Sequence, residues 1–361
     1  MKRIAYLCLS EAWGGLEMNQ LRNAIVMQKR GHDVLIITNK NSPIAQRALT
    51  ENILLYIVNQ KTKHYQWRFA WKLGRFLMSK NINNLIFRNN REQSIAASVA
   101  FLSIGKIKVH YFMEMALGGR RNQLFRTLRY YYFKSWSCPL PYLKDQVLAL
   151  TNVNAKKVCV IPSGIQASSK PLISKKEARQ MLGWPQNKKL LVMVGRIDPK
   201  KRQEYVYDMF IKRQCSDEIL VFVGENTLDE PSDYFTALKN TVDASAKKSQ
   251  ILFAGFQNNM KAVYAAADVM IMAANNETVG MATLESLLYN CPVLGVNNGG
   301  TKSIISDFGG GLLYDTNDDS AFIAQLDRLL NEDFPPLDKT RFEQHFDFQH
   351  VCQLIETSIL I

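Results

Sequence analysis

Three short stretches hold residue types whose spacing could do chemistry. In Val194-Gly195-Arg196-Ile197-Asp198-Pro199-Lys200-Lys201-Arg202, an apolar run ends in an always-charged guanidinium, and an ammonium follows five residues on. At the carboxyl end of a strand, Arg196 and Lys201 would clamp a diphosphate without requiring a metal. Asn276-Glu277-Thr278-Val279-Gly280-Met281-Ala282-Thr283-Leu284-Glu285 sets two glutamates eight positions apart. If Gly280 opens a helix, Glu277 lies in the loop before it and Glu285 inside its third turn, too far apart for a neighbouring acid/base pair. Carboxylates suit neutral diols as acceptors, so Glu277 fits sugar hydroxyls and Glu285 a ribose, while the helix N-terminus faces phosphate. Near the start, Trp13-Gly14-Gly15-Leu16-Glu17 puts two glycines where a strand gives way to a helix, so backbone amides could approach a phosphate or sugar. The spacing is not GxGxxG, and Lys40 rather than an acid follows Thr38-Asn39, which argues against a nicotinamide dinucleotide.

The elements that must position these residues follow from short apolar runs. Arg3–Ser10, Asp33–Thr38, Ile53–Val58, Leu85–Arg88, Lys108–Met113 and Val158–Pro162 recur in the first half. Leu190–Gly195, Ile219–Gly224, Ile251–Phe256, Val269–Ala273, Val293–Val296 and Leu312–Tyr314 do so in the second. Each is too short for a helix and is separated from the next by helical-period or polar sequence. Such alternation predicts a doubly wound parallel sheet in each half. We read residues 1–165 as one Rossmann-like domain and 166–345 as another, hinged at Ile161-Pro162-Ser163-Gly164 and the Ala167–Ser174 stretch. Phe346–Leu360 reads as a closing helix. Ligands of such sheets sit at the carboxyl ends of the strands, which places a substrate site in a cleft between the domains.

Of 361 residues, 47% are hydrophobic, which fits a globular chain. No run approaches the roughly 18 apolar residues of a membrane span. The apolar residues after Lys2-Arg3 end at Ser10, too soon for a signal-peptide core. Six scattered cysteines form no CxxC, and no histidine stands at metal spacing, so a reduced, cytoplasmic setting without a metal site is expected. Charge is uneven: residues 1–165 hold 25 Lys/Arg against 7 Asp/Glu, whereas residues 166–361 hold 20 against 25. So basic a first half should seek a polyanion. In Tyr65–Lys80, Arg68, Lys72 and Arg75 fall in one stripe of a helix otherwise covered by Trp67, Phe69, Trp71, Leu73, Phe76, Leu77 and Met78. Arg120–Trp136 repeats the basic and aromatic theme. Core packing suits either stretch alone; the two together with the charge point to a peripheral place on an anionic membrane surface, at its inner face. A nucleic acid is not expected as partner, since no helix-turn-helix, RNP or zinc pattern is present and the second half is acidic.

Gly14-Gly15 with Glu17, Gly31-His32, Ile161-Pro162-Ser163-Gly164, Gly195-Arg196 with Lys201, Glu277 through Glu285, and Gly299-Gly300 together resemble the retaining GT-B glycosyltransferases of family four. The likeness runs in order over nearly the whole chain. It implies the GT-B fold, two Rossmann-like domains facing across a cleft, with the nucleotide-sugar donor held mainly by the second domain and the acceptor by the first. It further implies that the C-terminal helix Phe346–Ile361 packs back on the first domain. By the same resemblance Arg196 and Lys201 match the diphosphate clamp, Glu285 the ribose ligand, and Glu277 with the Gly280-Met281 amides the donor-sugar contacts. Gly15 matches a backbone position near the distal phosphate, and His110, in Val109-His110-Tyr111-Phe112-Met113-Glu114, stands where family members often carry a histidine near the donor sugar; Glu114 is a weaker candidate. The chain departs from the pattern at Ala273-Ala274, where Pro-Ser is usual, and at Gln166 and Ser303, where acids are common.

The expected activity is metal-independent, retaining transfer of a sugar from a nucleoside diphosphate sugar, UDP-linked, to a glycolipid or polysaccharide acceptor, with no cofactor beyond the donor substrate. The alternatives are a nucleotide-sugar epimerase of the same fold and, in another class, a basic nucleic-acid-binding protein.

Overall fold

The computed structural model describes residues 1–60, 66–165, 173–226 and 233–360. Tyr65, Gln166, Ile361 and the Ala167–Leu172 part of the expected hinge lie outside them. The chain divides into two units: Met1–Gly164 with His345–Ile361, and Ile165–Gln344.

The first unit is a seven-stranded sheet of β1 (Arg3–Cys8), β2 (Asp33–Asn39), β3 (Leu54–Val58), β4 (Asn84–Phe87), β5 (Lys108–Phe112), β6 (Phe133–Cys138) and β7 (Val158–Val160). Their order is β3-β2-β1-β4-β5-β6-β7, and every pairing is parallel. The second unit has β8 (Lys189–Val194), β9 (Glu218–Val223), β10 (Ile251–Gly255), β11 (Val269–Met272), β12 (Val293–Val296) and β13 (Gly311–Tyr314). These run parallel in the order β10-β9-β8-β11-β12-β13. Strands such as Asn84–Phe87 and Val269–Met272 are buried at every position, which is why Leu85–Phe87 and Val269–Met272 read as unbroken apolar runs: helices cover both faces of the sheet.

The order reverses between β1 and β4 in one sheet and between β8 and β11 in the other. At such a reversal the crossovers leave on opposite faces, and the chain beyond the strand ends opens a crevice.

The basic, aromatic stretch Arg120–Trp136 is not one amphipathic element. A helix, Leu124–Tyr132, ends at Phe133, and the chain continues directly as β6 between β5 and β7. Trp136 is fully buried there and packs edge-on against Tyr111 and Tyr130. Ser174, read as part of the hinge, instead caps the helix Lys175–Leu182, its hydroxyl accepting from the Glu177 amide at 3.2 Å. The closing helix begins at Phe348, after Asp347 caps it by accepting from the His350 amide. Its Phe348, Val351, Cys352 and Ile355 join Tyr6, Leu21, Ala24 and Ile36 in the first unit's core.

Candidate functional site

In the second unit both switch-point strands end where the candidate residues begin. β8 stops at Val194, and Arg196 is exposed just beyond Gly195, with its carbonyl accepting from Gln203 Nε2 at 2.7 Å. The Asp198 side chain accepts from the Lys200 amide, and the short turn Pro199–Lys201 presents Lys201. After β11 the chain enters the loop that carries Glu277. Lys201 Nζ donates to Glu277 Oε2 at 2.6 Å. The residue expected on phosphate and the residue expected on sugar are therefore in contact. With side chains 26% and 22% exposed, the pair contributes up to about 1 kcal/mol, so it orients both groups more than it stabilises the fold.

Two glycines hold the glutamate loop. A Cβ on Gly299, at φ +60°, would stand 2.5 Å from the Glu277 carbonyl oxygen. That carbonyl accepts from the Gly300 amide at 2.7 Å, so the close approach is used. Gly280, at φ +77°, precedes the helix Met281–Leu288 and has no side chain with which to cap it, which leaves the amides of the first turn available. Glu285 is the fifth residue of this helix, in its second turn rather than the third. Tyr264 donates to Glu285 Oε2 at 3.0 Å, and burial together with the nearby carboxylate raises the Tyr264 pKa, keeping it a donor. Motif reading missed the asparagines that brace this region. Arg202 donates to Asn275 at 3.3 Å and to Asn317, and Asn298 donates to Asn276 at 3.2 Å. Their signal in the sequence is the Asn275-Asn276 and Asn297-Asn298 pairs at two strand ends.

In the first unit, Gly14 precedes the helix Gly15–Lys29, and its amide donates to Glu17 Oε2 at 2.9 Å. Glu17 is buried, so its carboxylate serves the turn. A Cβ on Gly15 would meet no atom within 4 Å among the described residues, so their packing does not demand glycine there. Beneath the turn, fully buried Glu92 accepts from the Leu9 amide at 2.6 Å, and burial lifts its carboxyl to about 8.

Arg88 and Glu114, just past the ends of β4 and β5, form a buried ion pair, and Asn19 Nδ2 donates to Glu114 at 3.4 Å. Burial pushes the Glu114 carboxyl up although Arg88 opposes it. These residues border a cavity of about 20 Å³ that Asn23, Ser137 and Ser163 also line, room for a single water. Sequence reading named Glu114 but not Arg88 or Asn19, whose types alone carry no spacing signal.

His110 belongs to neither cluster. It lies in the middle of β5, not at its end, and is fully buried. Its Nδ1 bonds Ser135 Oγ at 2.8 Å and its Nε2 bonds Asn84 Oδ1 at 3.2 Å. Burial, with Lys108 and Lys134 adding to it, lowers its pKa to about 3. A neutral, fully partnered imidazole inside the sheet is a core residue, and the expected contact with a donor sugar is corrected accordingly.

Residues 174–344, nearly the whole second unit, match the family model described as glycosyl transferases group 1. The chain is 26% identical over 186 residues to the UDP-Gal:alpha-D-GlcNAc-diphosphoundecaprenol alpha-1,3-galactosyltransferase of Escherichia coli, covering 50% of this chain and 47% of that protein. It is 30% identical over 186 residues to the alpha-monoglucosyldiacylglycerol synthase of Streptococcus pneumoniae, covering 49% and 40%. The matched segments thus span about half the length of these relatives. The whole chain superposes on all of Anabaena Alr3699/HepE, crystallised with UDP and glucose, with a TM-score of 0.83 at 16% identity. The second unit thus matches the glycosyl transferases group 1 model over nearly its whole length, and the chain, with its two parallel sheets of seven and six strands, has the GT-B fold.

Proposed function

We propose that this chain transfers a sugar, with retention at the anomeric carbon, from a UDP-linked donor to a glycolipid or polysaccharide acceptor. The observation that carries the reading is the Lys201–Glu277 contact at the switch point of the second unit, with Arg196 at the end of the adjoining strand. A cation suited to diphosphate and a carboxylate suited to sugar hydroxyls stand side by side, the adjacency that a sugar joined to a diphosphate demands. Two relatives support the choice of substrates: the name of the E. coli protein gives UDP-Gal as donor and a diphosphoundecaprenol-linked acceptor, and that of the S. pneumoniae protein gives a glucosyldiacylglycerol product.

In this reading the second unit holds the donor and the first the acceptor. The bond from the anomeric carbon to the diphosphate breaks as Arg196 and Lys201 take up the developing negative charge, so their charges replace a divalent cation. The acceptor hydroxyl adds on the face the diphosphate leaves, and its proton passes to the departing diphosphate oxygen. No side chain becomes glycosylated. The test is release of UDP or GDP from a panel of nucleotide sugars, with lipid and polysaccharide acceptors and with a chelator present. No release from any donor would refute transfer, and loss of release on chelation would refute metal independence.

A further inference from the structure

On the first unit, the helices Trp67–Ser79, Gln93–Leu102 and Leu124–Tyr132 enclose a groove of about 130 Å³. Its walls are mainly Trp67, Ala97, Phe101, Phe125, Leu128 and Tyr132. Trp67 and Tyr132 both meet Phe101 edge-on, at 6.1 and 5.4 Å between ring centres. The first helix buries Ala70, Leu73, Gly74 and Leu77 against its neighbours, so its core-facing stripe is already complete. Beyond that stripe Trp67 and Trp71 are about half exposed, and Phe125 and Leu128 are 67% and 53% exposed. An apolar face this open marks an interaction surface.

The charges identify the occupant. The three helices carry Arg68, Lys72, Arg75, Arg126 and Arg129 and not one carboxylate. The same face of a second copy would set cation against cation. Exposed Trp, Tyr, Phe and Leu interleaved with Arg and Lys fit the headgroup boundary of an anionic bilayer, where aromatic rings rest and cations meet phosphate. The groove is near the size of an apolar cavity that admits benzene, so it has room for a short length of hydrocarbon chain and not for a headgroup. We propose that this face docks on an anionic bilayer and that the groove receives part of a lipid chain. The inference does not depend on sugar transfer, and its test does not measure turnover.

The test is co-sedimentation of the whole chain with phosphatidylglycerol/phosphatidylcholine vesicles and with phosphatidylcholine alone, at low and high salt. Binding is expected only to the anionic vesicles and should fall at least tenfold as salt screens the charges. Phe125→Ser/Leu128→Ser, both at exposed positions, should weaken binding tenfold or more with an unchanged melting temperature, as should Arg68→Glu/Lys72→Glu/Arg75→Glu. Lipids brominated on their chains should quench tryptophan fluorescence in the parent and much less in Trp67→Phe/Trp71→Phe. No binding to anionic vesicles would overturn the proposal and leave the face to an acidic protein partner. Binding that the Phe125/Leu128 variant leaves intact would overturn the groove.

Discussion

Lys201 Nζ donates to Glu277 Oε2 at 2.6 Å across 76 residues of chain, so the cation in the turn after β8 and the carboxylate beyond β11 form one unit. If a diphosphate binds there as proposed, Lys201 is shared between Glu277 and phosphate. Arg196→Ala and Lys201→Ala should each weaken UDP binding by about 1.5 to 3 kcal/mol, the size of a hydrogen bond to a charged group. Titration calorimetry with UDP measures this, and unchanged affinity in both variants would dispose of the clamp.

The two glutamates should separate by ligand. Glu285 lies inside the helix, its carboxylate held by Tyr264, whereas Glu277 lies before the helix beside Lys201. Glu285→Gln should weaken UDP and the UDP-sugar alike if it binds the ribose they share. Glu277→Gln removes a carboxylate from beside the clamp, so UDP binding should hold or tighten while turnover falls. Equal damage to UDP binding by both would show that the roles are not divided in this way.

His110 should behave as a core residue. His110→Ala strips Asn84 and Ser135 of their partner inside the sheet, at a cost of about 1 to 3 kcal/mol for the buried groups left unpaired. Thermal melting should show the loss, while turnover per folded molecule stays within a few-fold of the parent. A fall of a hundredfold or more with an unchanged melting temperature would restore a catalytic role. The native imidazole stays neutral down to about pH 3, whereas an unfolded one gains its proton near 6.5. Stability from this site is therefore present above pH 6.5 and lost as pH falls toward 3.

These sites differ in how much of them a reader of the sequence could see. The strands with unbroken apolar runs were visible because a parallel sheet covered on both faces needs nothing else. β6 was not, since Phe133-Lys134-Ser135-Trp136-Ser137-Cys138 lacks β-branched residues and follows four helix residues rich in tyrosine. Its serines are small because Ser135 fits beside His110 on β5, a contact no local pattern encodes. Arg196, Lys201, Glu277 and Glu285 were legible as types at spacings. The Lys201–Glu277 pairing was not, because it depends on how Gly299 lets the Glu277 backbone approach. Glu92 offered no signal either: an acid one residue from Arg91 looks like surface until the fold buries it.

That burial gives Glu92 its own pH signature. Its carboxyl accepts from the Leu9 amide at 2.6 Å, just beyond β1, yet burial outweighs this and nearby Glu17 raises its pKa further, to about 8 against the ordinary 4.5. Between those values the folded chain keeps a proton that the unfolded chain has released. The contribution to stability is thus complete below about pH 4.5 and is lost as pH rises through 8. Glu92→Gln keeps an oxygen for the Leu9 amide and cannot ionise. Its denaturation midpoint should therefore fall less than that of the parent between pH 5 and 8, with the variant gaining on the parent as pH rises. Chemical denaturation at a series of pH values measures the difference. Parallel curves for the two proteins would mean that Glu92 is ionised in the fold, and that the Leu9 amide and its surroundings hold a charge there.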